Sequence, residues 1–157
     1  MTTDDIDLQI LTHLHRDART AVASIAKEVG LTPPAVQNRI KRLESEGVVE
    51  AFTSRPDPTK LGYGVSVLIN VTLKGYKSAM VREFQKAVMA EPSIVECYAL
   101  TGTADFTLRA LAKDVAGLNH LLTEVIGQLP HVASFQTQLI LRTIKLDYSV
   151  LVKTGNS

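Results

Sequence analysis

The chain has 157 residues, a formal net charge of +1 and 45% hydrophobic residues, with four histidines and one cysteine, Cys97. This length buries enough surface to fold without staples, and a lone cysteine excludes an internal disulfide, while the scattered histidines offer no Cys/His quartet for structural zinc. So small a net charge gives no bulk argument for nucleic acid, and neither a basic leader nor an apolar run of membrane-spanning length is present. The expectation is a cytoplasmic protein with no membrane partner, no metal and no cofactor.

In chain order, residues 4–17 place Ile6, Ile10, Leu11 and Leu14 at helical spacing, with Asp4 and Asp5 in the first turn, where the helix dipole favours acids. Thr20 is positioned to cap a second helix whose Val22, Ile25, Ala26 and Val29 form one apolar stripe, ended by Gly30. Thr32 at the cap and Pro33 at the first helical position open a third, with Val36, Ile40 and Leu43 facing inward. Two short helices so tightly joined, the second with a basic face, form a helix-turn-helix signature. The β-prone run from Val48 to Thr53 is suited to a small wing.

Pro56-Asp57-Pro58 breaks regular structure and sets a domain boundary near residue 60, giving domains 1–60 and 61–157. From Val65 to Leu73 apolar residues alternate with Ser66, Asn70 and Thr72, the pattern of a strand with one apolar face. A helix over 77–90 carries Met80, Val81, Phe84, Val88 and Met89. Strands follow at 94–101 and 105–112, joined by Gly102-Thr103-Ala104. A last helical stripe holds Val115, Leu118, Leu121, Leu122, Val125 and Ile126, and a long strand runs from Val132 to about Tyr148. The fold class is therefore α+β, a winged helix-turn-helix followed by a ferredoxin-like βαββαβ domain. Its free sheet face would show Leu68, Tyr98, Leu100 and Ile140, apolar enough to want a partner subunit.

These pieces resemble the Lrp/AsnC (leucine-responsive, feast/famine) transcriptional regulators over nearly the whole chain. The resemblance is carried by the acidic start ending on Asp7, by Arg39-Ile40-Lys41-Arg42-Leu43-Glu44 followed by Gly47-Val48-Val49, by Thr101-Gly102-Thr103-Ala104-Asp105-Phe106, and by Leu141-Arg142-Thr143-Ile144-Lys145. It implies a DNA-binding regulator, dimers assembling into octamers or similar rings, and an amino-acid effector. The chain departs from the commoner pattern at Pro34, Ala35 and Gln37-Asn38, and in its C-terminal tail.

Residues 1–60 carry eight Lys/Arg against nine Asp/Glu, yet segment 32–43 holds three cations and no acid, so positive charge is concentrated on the third helix. Gln37 and Asn38 suit bidentate reading of adenine, while Arg39, Lys41 and Arg42 suit phosphates, with Thr32 and Ala35 completing the candidate DNA contacts. The bland reading of Arg42 is a surface pair with Glu46. In the loop, Gly102 can expose backbone N–H groups to a carboxylate and Asp105 can answer an ammonium; equally, Asp105 can simply brace a hairpin. The resemblance implies that this loop, with Thr101, Thr103 and Ala104, binds effector near a contact between dimers. Gln138, polar in an apolar stretch, is added.

Catalysis finds little support. Cys97 reads as a buried small hydrophobe, His13 and His15 point to nearly opposite sides of one helix, and His120 reads as a surface partner of Glu124. The chain is expected not to be an enzyme. The alternative to a ligand-responsive regulator is a DNA-organising oligomer that answers no ligand.

Overall fold

The computed structural model describes residues 3–146. These divide into two compact units, one running to Ser54 and taking in the residues from Ile144, the other Arg55–Thr143. The division falls before residue 60, and the assignment of Ile144 onward to the first unit is something a linear partition does not anticipate.

The first unit is built from α1 (Asp5–Arg16), α2 (Val22–Val29) and α3 (Pro33–Ser45). Ile10, Ile25, Ala26, Val36 and Ile40 form its core, flanked by Ile6, Leu14, Val22, Val29 and Leu31. Thr32 caps α3 as expected, its hydroxyl accepting from Ala35 N–H at 3.4 Å. Thr20 does not cap α2. Its hydroxyl donates instead to the Asp17 carbonyl at 2.7 Å, and Ala21 takes the cap position without a side-chain bond. Gly30 turns the chain between α2 and α3 at φ 69°, a left-handed conformation that favours glycine. No strand forms over 48–57: Val48 N–H and Val49 N–H both return to the Leu43 carbonyl, which curls this stretch around the end of α3, so the expected wing is absent from the described residues.

The second unit holds β1 (Val65–Leu73), α4 (Ser78–Ala90), β2 (Ile94–Ala99), β3 (Phe106–Ala112), α5 (Val115–His120) and β4 (Val132–Leu139). The sheet order is β2-β3-β1-β4 and each pairing is antiparallel, the arrangement expected of βαββαβ. Alternation on β1 buries Val67, Ile69, Val71 and Leu73 against Phe84 and Val88 of α4, with Phe106 and Leu108 of β3 in the same core. The rings of Phe84 and Phe106 meet at 4.7 Å between centroids. Met89 and Val115, expected in the stripes, are 87% and 77% exposed. Beyond His120 the helix widens into a π-turn over Leu121–Val125 and tightens into a 3-10 turn over Ile126–Gln128. Leu121 and Ile126 lie five residues apart, roughly 140° on an α-helix; the wider turn brings both into the core.

Two strand ends fall short of expectation. β2 stops at Ala99, with Leu100 N–H giving one last bond to the Asp105 carbonyl at 2.8 Å, and β4 stops at Leu139. β4 pairs only with β1, whose partners run out there; the bond from Ile140 N–H to the Ser66 carbonyl is the last rung. The expected end near Tyr148 lies outside the described residues. The free sheet face is also more polar than expected, because Arg109 bridges Glu96 at 2.9 Å and Ser66 at 3.4 Å beside Leu68. Truncating the central ring, Phe84→Ala, should cost about 3–5 kcal/mol in a urea titration of the full chain; a loss under about 1 kcal/mol would show that the core does not depend on it.

Candidate functional site

The N-terminal candidate is organised by one buried acid. Asp7 is fully buried in the first turn of α1, where it and Asp4 form a reciprocal cap: Asp7 N–H donates to Asp4 Oδ1 at 2.8 Å, and Asp4 N–H to Asp7 Oδ2 at 3.2 Å. A buried carboxylate needs counter-charge, and α3 supplies it. The Arg39 guanidinium donates to Asp7 Oδ1 at 2.8 Å and to Asp4 Oδ2 at 2.7 Å, and Arg42 donates to Asp7 Oδ2. The Arg39 hydrogen bond, helped by the Asp7 N–H, holds the Asp4 carboxyl below its ordinary 3.8, and Asp4 followed by Asp7 pushes the Arg39 guanidinium higher still.

Both arginines named as candidate phosphate contacts reach α1, and Arg42 pairs with Asp7, not Glu46. The remaining candidates do face outward. Asn38 and Lys41 are exposed and Gln37 half-buried, none with a side-chain partner among the described residues. Thr32 is spent on its cap and Ala35 is half-buried. The outer edge of α3 thus carries two carboxamides in its first half and one ammonium a turn further on, groups that can pair with base edges and a phosphate.

The second candidate lies at one end of the sheet. A cleft of about 230 Å³ is lined by Asn70 and Thr72 of β1, by Ser134, Phe135 and Gln136 of β4, and by Thr103 and Ala104 of the loop between β2 and β3. The structure therefore brings two of the expected loop residues together. Thr101 and Gly102 are exposed on the same loop but do not line the cleft, and Gly102 holds φ 125°, open to glycine alone. Gln138 is on the same face of β4, opposite Leu68, one pair further along than Gln136.

Asp105 is 91% buried and also stands outside the lining. Its Oδ2 accepts from Leu73 N–H at 2.7 Å and its Oδ1 from the Tyr76 hydroxyl, while its own N–H reaches the Val71 carbonyl at 2.9 Å. Both carboxylate oxygens are engaged in bracing the ends of β1 and β3, the bland alternative to an ammonium contact. The Asp105 hydrogen bond pushes the Tyr76 phenol above its usual 10.0. Sequence reasoning missed Asn70, Thr72, Ser134 and Gln136. Alternation already turned Asn70 and Thr72 away from the core, but the β4 register that sets Gln136 opposite Asn70 and Ser134 opposite Thr72 was needed to assemble a site.

Cys97 is exposed on the edge strand and not buried as expected; partial desolvation still pushes its thiol up, away from a reactive thiolate. Among the described residues no group of three or more His, Cys, Asp or Glu could hold a metal ion. His13 reaches Glu28 of α2 at 3.4 Å.

Removing the buried charge by Asp7→Asn should cost about 3 kcal/mol, because Arg39 and Arg42 lose the acid that holds them to α1; a melting temperature equal to wild type would show that the network does not dock α1 on α3. For Asp4 the pKa is depressed by folding, so its stabilisation is fully present above the ordinary carboxylate value and fades as pH falls through the lowered one. Melting curves of wild type and Asp4→Asn should therefore converge only below about pH 4; parallel curves through that range would disprove the linkage. Tyr76→Phe leaves Asp105 one donor short and should speed amide exchange over residues 100–105; unchanged exchange would remove the brace.

With this geometry in view, known proteins give a consistent comparison. The AsnC-type helix-turn-helix domain matches residues 4–44 and the Lrp/AsnC ligand binding domain matches residues 66–150. The HTH-type transcriptional regulator AldR of Mycolicibacterium smegmatis is 33% identical over 142 residues, 90% of this chain and 83% of its own. The Bkd operon transcriptional regulator of Pseudomonas aeruginosa is 31% identical over 143 residues, 91% of this chain and 94% of its own. A transcriptional regulator of Neisseria meningitidis, solved as an L-Met complex, superimposes with a TM-score of 0.87 at 28% identity over 94% of this chain and 96% of that one. An AsnC-type reading helix in one unit and an Lrp/AsnC ligand-binding sheet in the other place this chain in the Lrp/AsnC family.

Proposed function

We propose that the chain regulates transcription by reading duplex DNA with α3 and answers a free amino acid held in the cleft between β1, β4 and the 101–104 loop. The observation that carries the DNA half is the division of labour on α3. Arg39 and Arg42 are tied to Asp4 and Asp7, which locks the helix, while Gln37, Asn38 and Lys41 keep free donors on its outer edge. Gln37 and Asn38 then read bases, and Lys41 holds a phosphate. Relatives that are transcriptional regulators, and the L-Met complex of the Neisseria protein, support the same reading.

The functional unit in this reading is a homodimer, further assembled into an octamer or similar ring, that brings several reading helices to successive half-sites. It works without catalysis in the cytoplasm. Among the described residues no helix is long and apolar enough to cross a membrane. The effector shifts the assembly only through its differential affinity for the two states.

The test is a set of operator titrations at varied salt. Lys41→Ala should reduce the slope of log K against log salt by about one per protomer and weaken binding to all duplexes alike. Asn38→Ala should cost about 1–3 kcal/mol on the operator and little on random duplex. Arg39→Ala should lower thermal stability without changing the slope in protein that remains folded. If Arg39→Ala changes the slope and Lys41→Ala does not, the division of labour on α3 is reversed; if none affects DNA affinity, α3 does not read DNA.

A further inference from the structure

We infer that Pro34 is a specificity-determining residue that selects a thymine methyl group close to the base pair met by Asn38; this rests on the proposal that α3 reads duplex DNA. The first turn of α3 has no free donor. Pro33 and Pro34 occupy its first two positions and carry no backbone N–H. The next two amides are taken, Ala35 N–H by the Thr32 hydroxyl at 3.4 Å and Val36 N–H by the Thr32 carbonyl at 3.1 Å. A helix end that ordinarily offers its amides to an anion therefore has none to offer here. One proline suits a helix start, because the first amide has no partner in any case. The second, which is exposed, gives up another donor and puts an apolar ring in its place.

Helical spacing places that ring on the reading face. At about 100° per residue, Pro34, Asn38 and Lys41 fall within about 60° of one another, opposite the buried stripe of Val36, Ile40 and Leu43. A recognition helix meets base edges with its N-terminal residues, so the ring enters the major groove ahead of Asn38 while Lys41 trails toward the backbone. Pro34 and Asn38 stand about 6 Å apart along the axis, roughly two base steps. Chemistry then selects the base. Guanine, adenine and cytosine present hydrogen-bonding groups in this groove, and thymine alone adds a methyl group. A ring with neither donor nor acceptor strips water from a polar edge and returns nothing, whereas covering a methyl group is favourable. Discrimination of this kind needs neither Arg39 nor Arg42, which are held by Asp4 and Asp7.

Uracil, which is thymine without the methyl group, gives a direct test. Duplexes enriched by the full chain from a pool of random sequence are remade with uracil replacing one thymine at a time. At one thymine in a half-site the exchange should weaken binding by about fourfold, the value of one buried methyl group. Pro34→Ser keeps a residue suited to a helix start but puts an N–H and a hydroxyl where the ring stood. It should bind the thymine and uracil duplexes equally and melt near wild type. Asn38→Ala should leave the uracil effect in place, because the two residues meet different pairs. If no uracil weakens binding while Asn38→Ala does, α3 reads DNA without Pro34 and the inference is overturned. A uracil effect that survives Pro34→Ser comes from another residue or from duplex shape, and overturns it as well. If the pool yields no preferred duplex, the proposal that α3 reads sequence falls, and this inference with it.

Discussion

The burial of one carboxylate, Asp7, constrains the N-terminal unit more than any other single feature. A fully buried acid is tolerated only with its charge met and its lone pairs used, and here both oxygens are taken by Arg39, Arg42 and the Asp4 amide. Those partners lie at the start of α1 and in the second half of α3, so the pairing fixes the two helices in register as well as in contact. The apolar core of Ile10, Ile25, Val36 and Ile40 would permit some sliding of one helix on another; charge-assisted hydrogen bonds to a single carboxylate do not.

The ligand-binding unit repeats the device. Asp105 and Asp7 are the two buried polar or charged residues among the described ones, and Asp105 likewise spends both oxygens inside the protein, on Leu73 N–H and Tyr76. Its position extends the β1–β3 ladder past Phe106, where the strands would otherwise part, and so fixes the root of the loop whose Thr103 and Ala104 line the cleft. The exposed glycine at φ 125° gives that loop its turn, and the aspartate anchors one end of it.

Much of this architecture was legible in the sequence because periodicity reports burial. The Val36, Ile40 and Leu43 stripe, the Val65–Leu73 alternation and the Thr32-Pro33 helix start all appear where the pattern puts them. What was not legible depends on pairing across the chain. Composition gives Val48–Thr53 a β preference, but among the described residues no strand pairs with it, and the Leu43 carbonyl takes the Val48 and Val49 N–H groups. The polar side chains of β4 became a site only through register, which a local pattern does not specify. Arg39 and Arg42 looked like phosphate ligands because a basic helix face has the same composition whether its counter-ions are phosphates or buried aspartates more than thirty positions away.

That last ambiguity has a consequence for how the protein can bind DNA at all. With Arg39 and Arg42 committed to Asp4 and Asp7, α3 offers Lys41 as its free cation, and its first turn, opened by Pro33 and Pro34, adds no free amide. Phosphate neutralisation supplies most non-specific affinity, roughly one released counter-ion per contact, so a single copy of this helix gains little from the duplex backbone. Base contacts of the kind proposed for Gln37 and Asn38 would add discrimination but not the bulk of the binding energy. In the proposed oligomer, several weak readers held at fixed spacing would supply useful affinity, because the second and later contacts are intramolecular and gain from effective concentration. On the proposed reading, a helix locked internally by its own arginines would make the arrangement of subunits decisive for binding, and that arrangement is the quantity a ligand would have to change.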